Sequence, residues 1–146
     1  MLRISKLADY GTVIMNFLAM EPTTVFSANE IAQKVHIAVP TASKVLKKLV
    51  NANLVTSVRG AEGGYRLAHS PQEITIADVI TALDGQPALT ECNAVTKKCS
   101  KDSVCAIRDN WRLINKVVLT ALNSLTLADM SKPLEHHPLV SNGIKC

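Results

Sequence analysis

Residues 27–52 constrain the fold of this chain more than any other stretch, because they specify two helices and the sharp bend between them. Ser27-Ala28-Asn29-Glu30 has the capping-box spacing, in which serine and glutamate satisfy each other's unpaired amides, and it stands directly before the apolar Ile31, Ala32 and Val35. A short helix therefore starts at a defined residue. A turn around His36 and Ile37 follows, and Pro40 then occupies a first helical position, where its missing N–H costs nothing. The helix it opens, PTASKVLKKLVNA, has two faces: Val45, Leu46, Leu49 and Val50 pack inward, whereas Thr41, Ser43, Lys44, Lys47 and Lys48 are left to water or to a ligand. Two helices joined by a tight turn, the second polar and basic outside, form the helix-turn-helix pattern, whose second helix enters the DNA major groove.

The next residues strengthen this reading. Leu54–Val58 and Tyr65–Ala68 read as two strands around Arg59-Gly60-Ala61-Glu62-Gly63-Gly64, a hairpin with a glycine-rich tip. The glycines suit a plain hairpin turn; a nucleotide loop would need the Lys-Ser/Thr of a P-loop and a strand-to-helix context, both missing here. A hairpin directly after a recognition helix is a wing, and Arg59 and Arg66 at its base are candidates to reach phosphates or a narrow minor groove. Upstream, Ser5 caps a first helix whose Leu7, Tyr10, Ile14, Phe17 and Leu18 recur at helical spacing. Downstream, Thr75–Asp78 starts a fourth helix in which Ile76, Val79, Ile80 and Leu83 share a face before Gly85 and Pro87 stop it. The expected fold is mainly α, a winged helix-turn-helix domain over residues 1–84 with a small β-hairpin wing.

Three of the four cysteines then fall within fourteen residues, as Cys92, Cys99 and Cys105 in ECNAVTKKCSKDSVC. Lysines and small polar residues separate them, which argues against burial as small hydrophobes. A disulfide would need an oxidising compartment, and MLRISKLADYG has no apolar run of signal-peptide length, so reduced thiols in a cytoplasm are expected. Structural zinc usually pairs its ligands two to four residues apart, unlike the gaps of six and five here. Thiolates on a polar loop suit zinc, cuprous copper or an iron–sulfur cluster, and three of them leave one position open.

Charge and periodicity bear on partners. Residues 1–66 carry eight Lys and Arg against four Asp and Glu, and residues 67–146 eight against eight, so the whole excess of +4 lies in the winged half. Such an asymmetry points to a polyanionic partner, double-stranded DNA, although a basic face is also an ordinary solvated surface. No apolar run approaches the length of a membrane span. His36, His69, His136 and His137 are scattered without a catalytic arrangement, so no enzyme is expected. From about Val104, Ile107, Trp111, Ile114, Val118, Ala121 and Leu125 alternate by threes and fours, a pairing seam on a helix of about 30 Å. This assigns 85–105 to a cysteine loop, 106–130 to a dimerisation helix with a short following helix, and 131–146 to a flexible tail. A homodimer would present two recognition helices to a near-palindromic operator. An intramolecular core helix is the alternative to pairing.

Together, ISKLADYG, PTASKVLKKL, SVRGAEGGYRL, the three-cysteine loop, and the later NW and SLTLADM resemble the iron–sulfur-cluster-responsive winged-helix repressors. These include IscR-type regulators of cluster assembly and NsrR-type nitric-oxide sensors, and the likeness extends to regulators of the Suf assembly system, over about residues 1–130. The resemblance implies a dimeric bacterial repressor in which Cys92, Cys99 and Cys105 hold one cluster, [2Fe-2S] or [4Fe-4S], per subunit. IscR-type members place a histidine three residues after the third cysteine, where this chain has Arg108. NsrR-type members take an aspartate from the first helix of the partner subunit, and Asp9 in LADYG matches that position. Asp9 is equally well read as an acid in a first helical turn, favourable to the helix dipole. Glu91, Cys146 and a solvent thiol are further candidates for the fourth ligand. The implied function is cluster-controlled DNA binding at iron–sulfur assembly genes. A nitric-oxide or redox sensor, or a zinc-stabilised regulator, would use the same fold, whereas an iron–sulfur carrier would need no wing.

Overall fold

In the computed structural model, which describes residues 4–94, 99–101 and 103–141, the chain forms a winged helical head followed by a longer helix that returns to it. Helix α1 (Lys6–Met20) begins where Ser5 Oγ accepts the Ala8 N–H at 3.1 Å. Helix α2 (Ala28–Lys34) starts on the expected capping box, Ser27 N donating to Glu30 Oε2 at 2.7 Å and Glu30 N to Ser27 Oγ at 3.2 Å. His36 makes the turn with a left-handed φ of 54°. Helix α3 (Val39–Asn51) begins one residue before Pro40, which is therefore second in the helix, a position whose N–H also lacks an intrahelical partner. Val45, Leu46 and Leu49 are buried in the core with Ile14, Met15, Leu18 and Ile31.

Strands β1 (Val55–Val58) and β2 (Gly64–Leu67) pair antiparallel, Val55 opposite Leu67 and Val58 opposite Gly64. The wing has a third participant. Phe26, just before the α2 cap, bridges Tyr65 through N–H···O bonds of 3.0 and 2.8 Å, and its ring sits 4.9 Å from that of Phe17. Backbone approaches so closely here that a Cβ on Gly64 would meet the Phe26 carbonyl. The wing is thereby fastened to the start of α2 as well as to the end of α3.

Helix α4 (Ile76–Asp84) carries the second expected capping box, Thr75 with Asp78. Helix α1 crosses it at Gly11, where any Cβ would overlap Leu83. The same turn receives two polar ties: Lys48 Nζ donates to the Leu83 carbonyl at 2.6 Å, and Ser5 donates to the Asp84 carboxylate through Oγ at 2.6 Å and N at 3.3 Å. Gly85 then ends the helix with φ 86°.

Helix α5 spans Arg108–Asn123, a later start than the alternation from Val104 suggests. Turn residues run up to Ile107, and Val104 and Ile107 are exposed. After α5, Thr126 pairs with Thr75 in an antiparallel bridge, with Ile76 N to Leu125 O at 2.9 Å and Leu127 N to Ile74 O at 3.0 Å. Helix α6 (Leu127–Met130) starts there on a third capping box, Thr126 with Asp129, and Leu125 and Leu127 enter the core of the head. The segment expected as a flexible tail contains a 3₁₀ turn (Leu134–His136) and α7 (Pro138–Ser141), and Leu139 packs against the core. Residues 142–146, Cys146 among them, lie outside the described residues.

Two outcomes follow for stability. Gly64→Ala should lower the unfolding free energy by roughly 1–3 kcal/mol, since the added methyl meets backbone that cannot turn aside, and urea unfolding checks it. Asp129 is 8% exposed; the Lys132 ammonium at 2.7 Å and the Thr126 N–H at 3.0 Å hold its carboxyl down to about 2. A carboxyl lowered on folding contributes stability above its ordinary titration range, and that contribution is lost as pH falls through the lowered value. Asp129→Asn should therefore depress the thermal midpoint at pH 7, and the deficit should shrink between about pH 4 and about pH 2.

Candidate nucleic-acid interface and cysteine loop

The bend between α2 and α3 leaves one side of α3 uncovered. On it Lys44 and Lys47 are exposed, Thr41 and Ser43 are half-buried, and the first turn has no side-chain cap. Lys48, a candidate from the same run, is half-buried, and its ammonium is engaged with the Leu83 carbonyl, so it ties α3 to α4. Arg59, just past β1, and Arg66, opposite Thr56 on β2, are both exposed. Hydroxyls and ammonium groups on a helix beside two guanidinium groups on a hairpin can donate to phosphate oxygens and base edges, which are rich in acceptors.

The cysteine loop connects α4 to α5 along the chain. Cys92 lies on a 3₁₀ turn (Glu91–Asn93) whose side chains crowd its sulfur: Thr90 Oγ1 is 3.0 Å from Cys92 Sγ, and Asn93 Nδ2 is 3.9 Å away. Asn93 Nδ2 also donates to Thr90 Oγ1 at 2.7 Å and to the Trp111 carbonyl at 3.4 Å. Leu89 N donates to Asn115 Oδ1 at 2.9 Å. Neither asparagine stood out in the sequence, because Asn115 falls between the seam positions Ile114 and Val118 and Asn93 sits in a polar run. Cys92, Cys99 and Cys105 are all free and half-buried. Among the described residues no three His, Cys, Asp or Glu side chains stand close enough together to hold a metal. Residues 95–98 and 102 of the loop lie outside the described residues. As a donor set, three free thiols on one loop, one of them beside a hydroxyl and an amide able to donate to sulfur, suit an iron–sulfur cluster.

Asp9 is exposed in the first turn of α1, where it lines a cleft of about 480 Å³ with Lys6, Thr12, Ile76 and Met130. Glu91 is exposed on the 3₁₀ turn. On α5, Trp111, Leu113, Ile114 and Val117 are exposed, the last at 61%, and the predicted seam changes character along the helix: Val118 and Ala121 are half-buried and Leu125 is in the core. None of the described helices is long and apolar enough to cross a membrane.

Known proteins share both the pattern and the shape. Residues 4–133 match the Rrf2 family, described as iron-dependent transcriptional regulators. The Rrf2 protein of Nitratidesulfovibrio vulgaris is 33% identical over 132 residues, covering 90% of this chain and 88% of its own length. The solved structure of CymR of B. subtilis, named as the global cysteine regulator of that organism, is similar at a TM-score of 0.72 and 33% identity, over 90% of this chain and 97% of that one. The IscR of T. potens is similar at a TM-score of 0.69 and 32% identity, over 88% of this chain and 85% of that one. With a winged helix-turn-helix head and this length of match, the chain belongs to the Rrf2 family of transcriptional regulators, and it is a DNA-binding protein rather than an enzyme.

Proposed function

We propose that this regulator is a dimeric repressor whose affinity for a near-palindromic operator is set by an iron–sulfur cluster, and that its targets are iron–sulfur assembly genes of the Suf type. The observation that carries the reading is the placement of three free thiols on the one segment that joins α4 to α5. Cys92, Cys99 and Cys105 are the proposed ligands, and Asp9 of a second copy, exposed in its first helical turn, is the proposed fourth. The exposed Trp111, Leu113, Ile114 and Val117 support pairing of α5 with a second α5, since a monomer rarely leaves such a stripe uncovered. Thr41, Ser43, Lys44 and Lys47 are the proposed groove contacts, with Arg59 and Arg66 on phosphates or the minor groove. When bound, the cluster supplies a cross-link within the loop that oxidation or nitric oxide removes.

Iron and acid-labile sulfide measured on protein purified without oxygen, followed by DNA binding before and after cluster removal, test this directly. A cluster whose loss changes operator affinity by about 5- to 150-fold is the expected result. Cys92→Ala should abolish that change along with cofactor content, and an unaltered variant would refute the switch. A second reading, a thiol-redox or zinc-stabilised regulator, rests on the same three thiols, which are free to be oxidised or to bind zinc. It would yield zinc or no metal, without sulfide. On DNA, Arg59→Ala should weaken binding evenly across sequences and flatten the salt dependence by about one unit of slope per protomer, about two for the dimer, whereas changes at Ser43 or Lys44 should alter which sequence is preferred. Competition titrations at several salt concentrations separate the two effects.

A further inference from the structure

The deepest described side chain on α5 is an amide. Asn115 is 8% exposed on a helix whose Trp111 is 37% exposed, and it lines a cavity of about 680 Å³ between α5 and the end of α4. A buried amide without partners is unfavourable by roughly 1–3 kcal/mol, so its position calls for a reason. That reason is Leu89, whose N–H reaches Asn115 Oδ1 three residues before Cys92. One turn earlier on α5, the Trp111 carbonyl accepts from Asn93, the residue after Cys92. Residues 89–93 are thus strapped along a single turn of α5, with Cys92 between the two anchors. On the other side, Asp84 is fixed by Ser5, and residues 85–88 alone separate it from Leu89.

The Asn93 amide has two hydrogens and three acceptors within reach: Thr90 Oγ1 at 2.7 Å, the Trp111 carbonyl at 3.4 Å and Cys92 Sγ at 3.9 Å. Whatever changes at the Cys92 sulfur redistributes those hydrogens. The long bond to Trp111 is the one most readily given up, because the contact to Thr90 is already short.

We propose that Asn115 and Asn93 are positioning residues that relay the state of the cysteine loop to α5 and, through residues 85–88, to the winged head. The proposal rests on the reading above that the loop holds a cluster, and it adds the path by which that state leaves the loop.

The test uses the full-length protein, wild type beside Asn115→Leu and Asn115→Gln. Leucine is close in size and meets the apolar Ile80, Leu119 and Leu122 of the cavity wall, so the helix is kept while the acceptor is removed; glutamine returns an amide oxygen on a longer arm. In the cluster-free protein, Asn115→Leu should speed hydrogen exchange at the Leu89 amide by about tenfold or more, and Asn115→Gln by less. In loaded protein, Asn115→Leu should retain iron and sulfide. Its operator affinities with and without cluster should come within about twofold of each other, while Asn115→Gln keeps part of the wild-type difference. Unchanged Leu89 exchange, or a wild-type affinity difference preserved in Asn115→Leu, overturns the relay alone. A wild type whose operator affinity ignores the cluster refutes the cluster-controlled reading and the relay with it.

Discussion

The last turn of α4 is the reference point of the whole molecule. A helix ends in carbonyls without intrahelical partners and with partial negative charge, so a Lys48 ammonium on the Leu83 oxygen suits it electrostatically. Asp84 at the same end is unfavourable to the helix dipole, and the two donors of Ser5 offset that by fixing the carboxylate to the start of α1. Gly11 lets α1 settle directly on Leu83. Through these three contacts the first helix, the recognition helix and the exit towards the cysteine loop are all held to a single turn. The orientation of α3 and the path of the loop therefore share one origin, which any ligand-dependent change in DNA binding requires.

A second joint closes the chain on itself. Ile74-Thr75-Ile76-Ala77-Asp78 and Leu125-Thr126-Leu127-Ala128-Asp129 have the same pattern, and they lie antiparallel across the Thr75–Thr126 bridge, each threonine capping the helix that follows it. The bridge bonds satisfy the first N–H of each helix with a carbonyl just before the other, while Ile74, Ile76, Leu125 and Leu127 are buried beneath it. The residues that follow α5 are consequently packed in the same core as the winged head.

Local signals were legible and distant pairings were not. The capping boxes at Ser27 and Thr75, the turn at His36 and the two faces of α3 depend on neighbours within a few residues, and the sequence pattern located each of them to within a residue or so. The bridge of Phe26 to Tyr65, the tie of Lys48 to Leu83 and the meeting of Thr75 with Thr126 join residues far apart in the chain, and no periodicity announces them. Lys48 illustrates the difference: its place in a basic run makes it look like a ligand for phosphate, while the structure gives its ammonium an internal acceptor. The alternation from Val104 to Leu125 likewise describes two environments, because a repeat records which residues are apolar and not which of them the head will cover.

These contacts grade the two ends of α5 by strength. Leu125 and Leu127, nearly or fully buried, contribute on the order of 2 kcal/mol each by transfer from water, and the two bridge bonds roughly 1 kcal/mol each. Towards its start, α5 meets the cysteine loop through the hydrogen bonds to Asn115 and from Asn93, again roughly 1 kcal/mol apiece. The bridge end is therefore the pivot and the loop end the part that yields. Allosteric couplings are typically about 1–3 kcal/mol, the scale of that weaker attachment. A much stronger strap would lock α5 whatever the cysteines held, and a much weaker one would leave the head unaware of them.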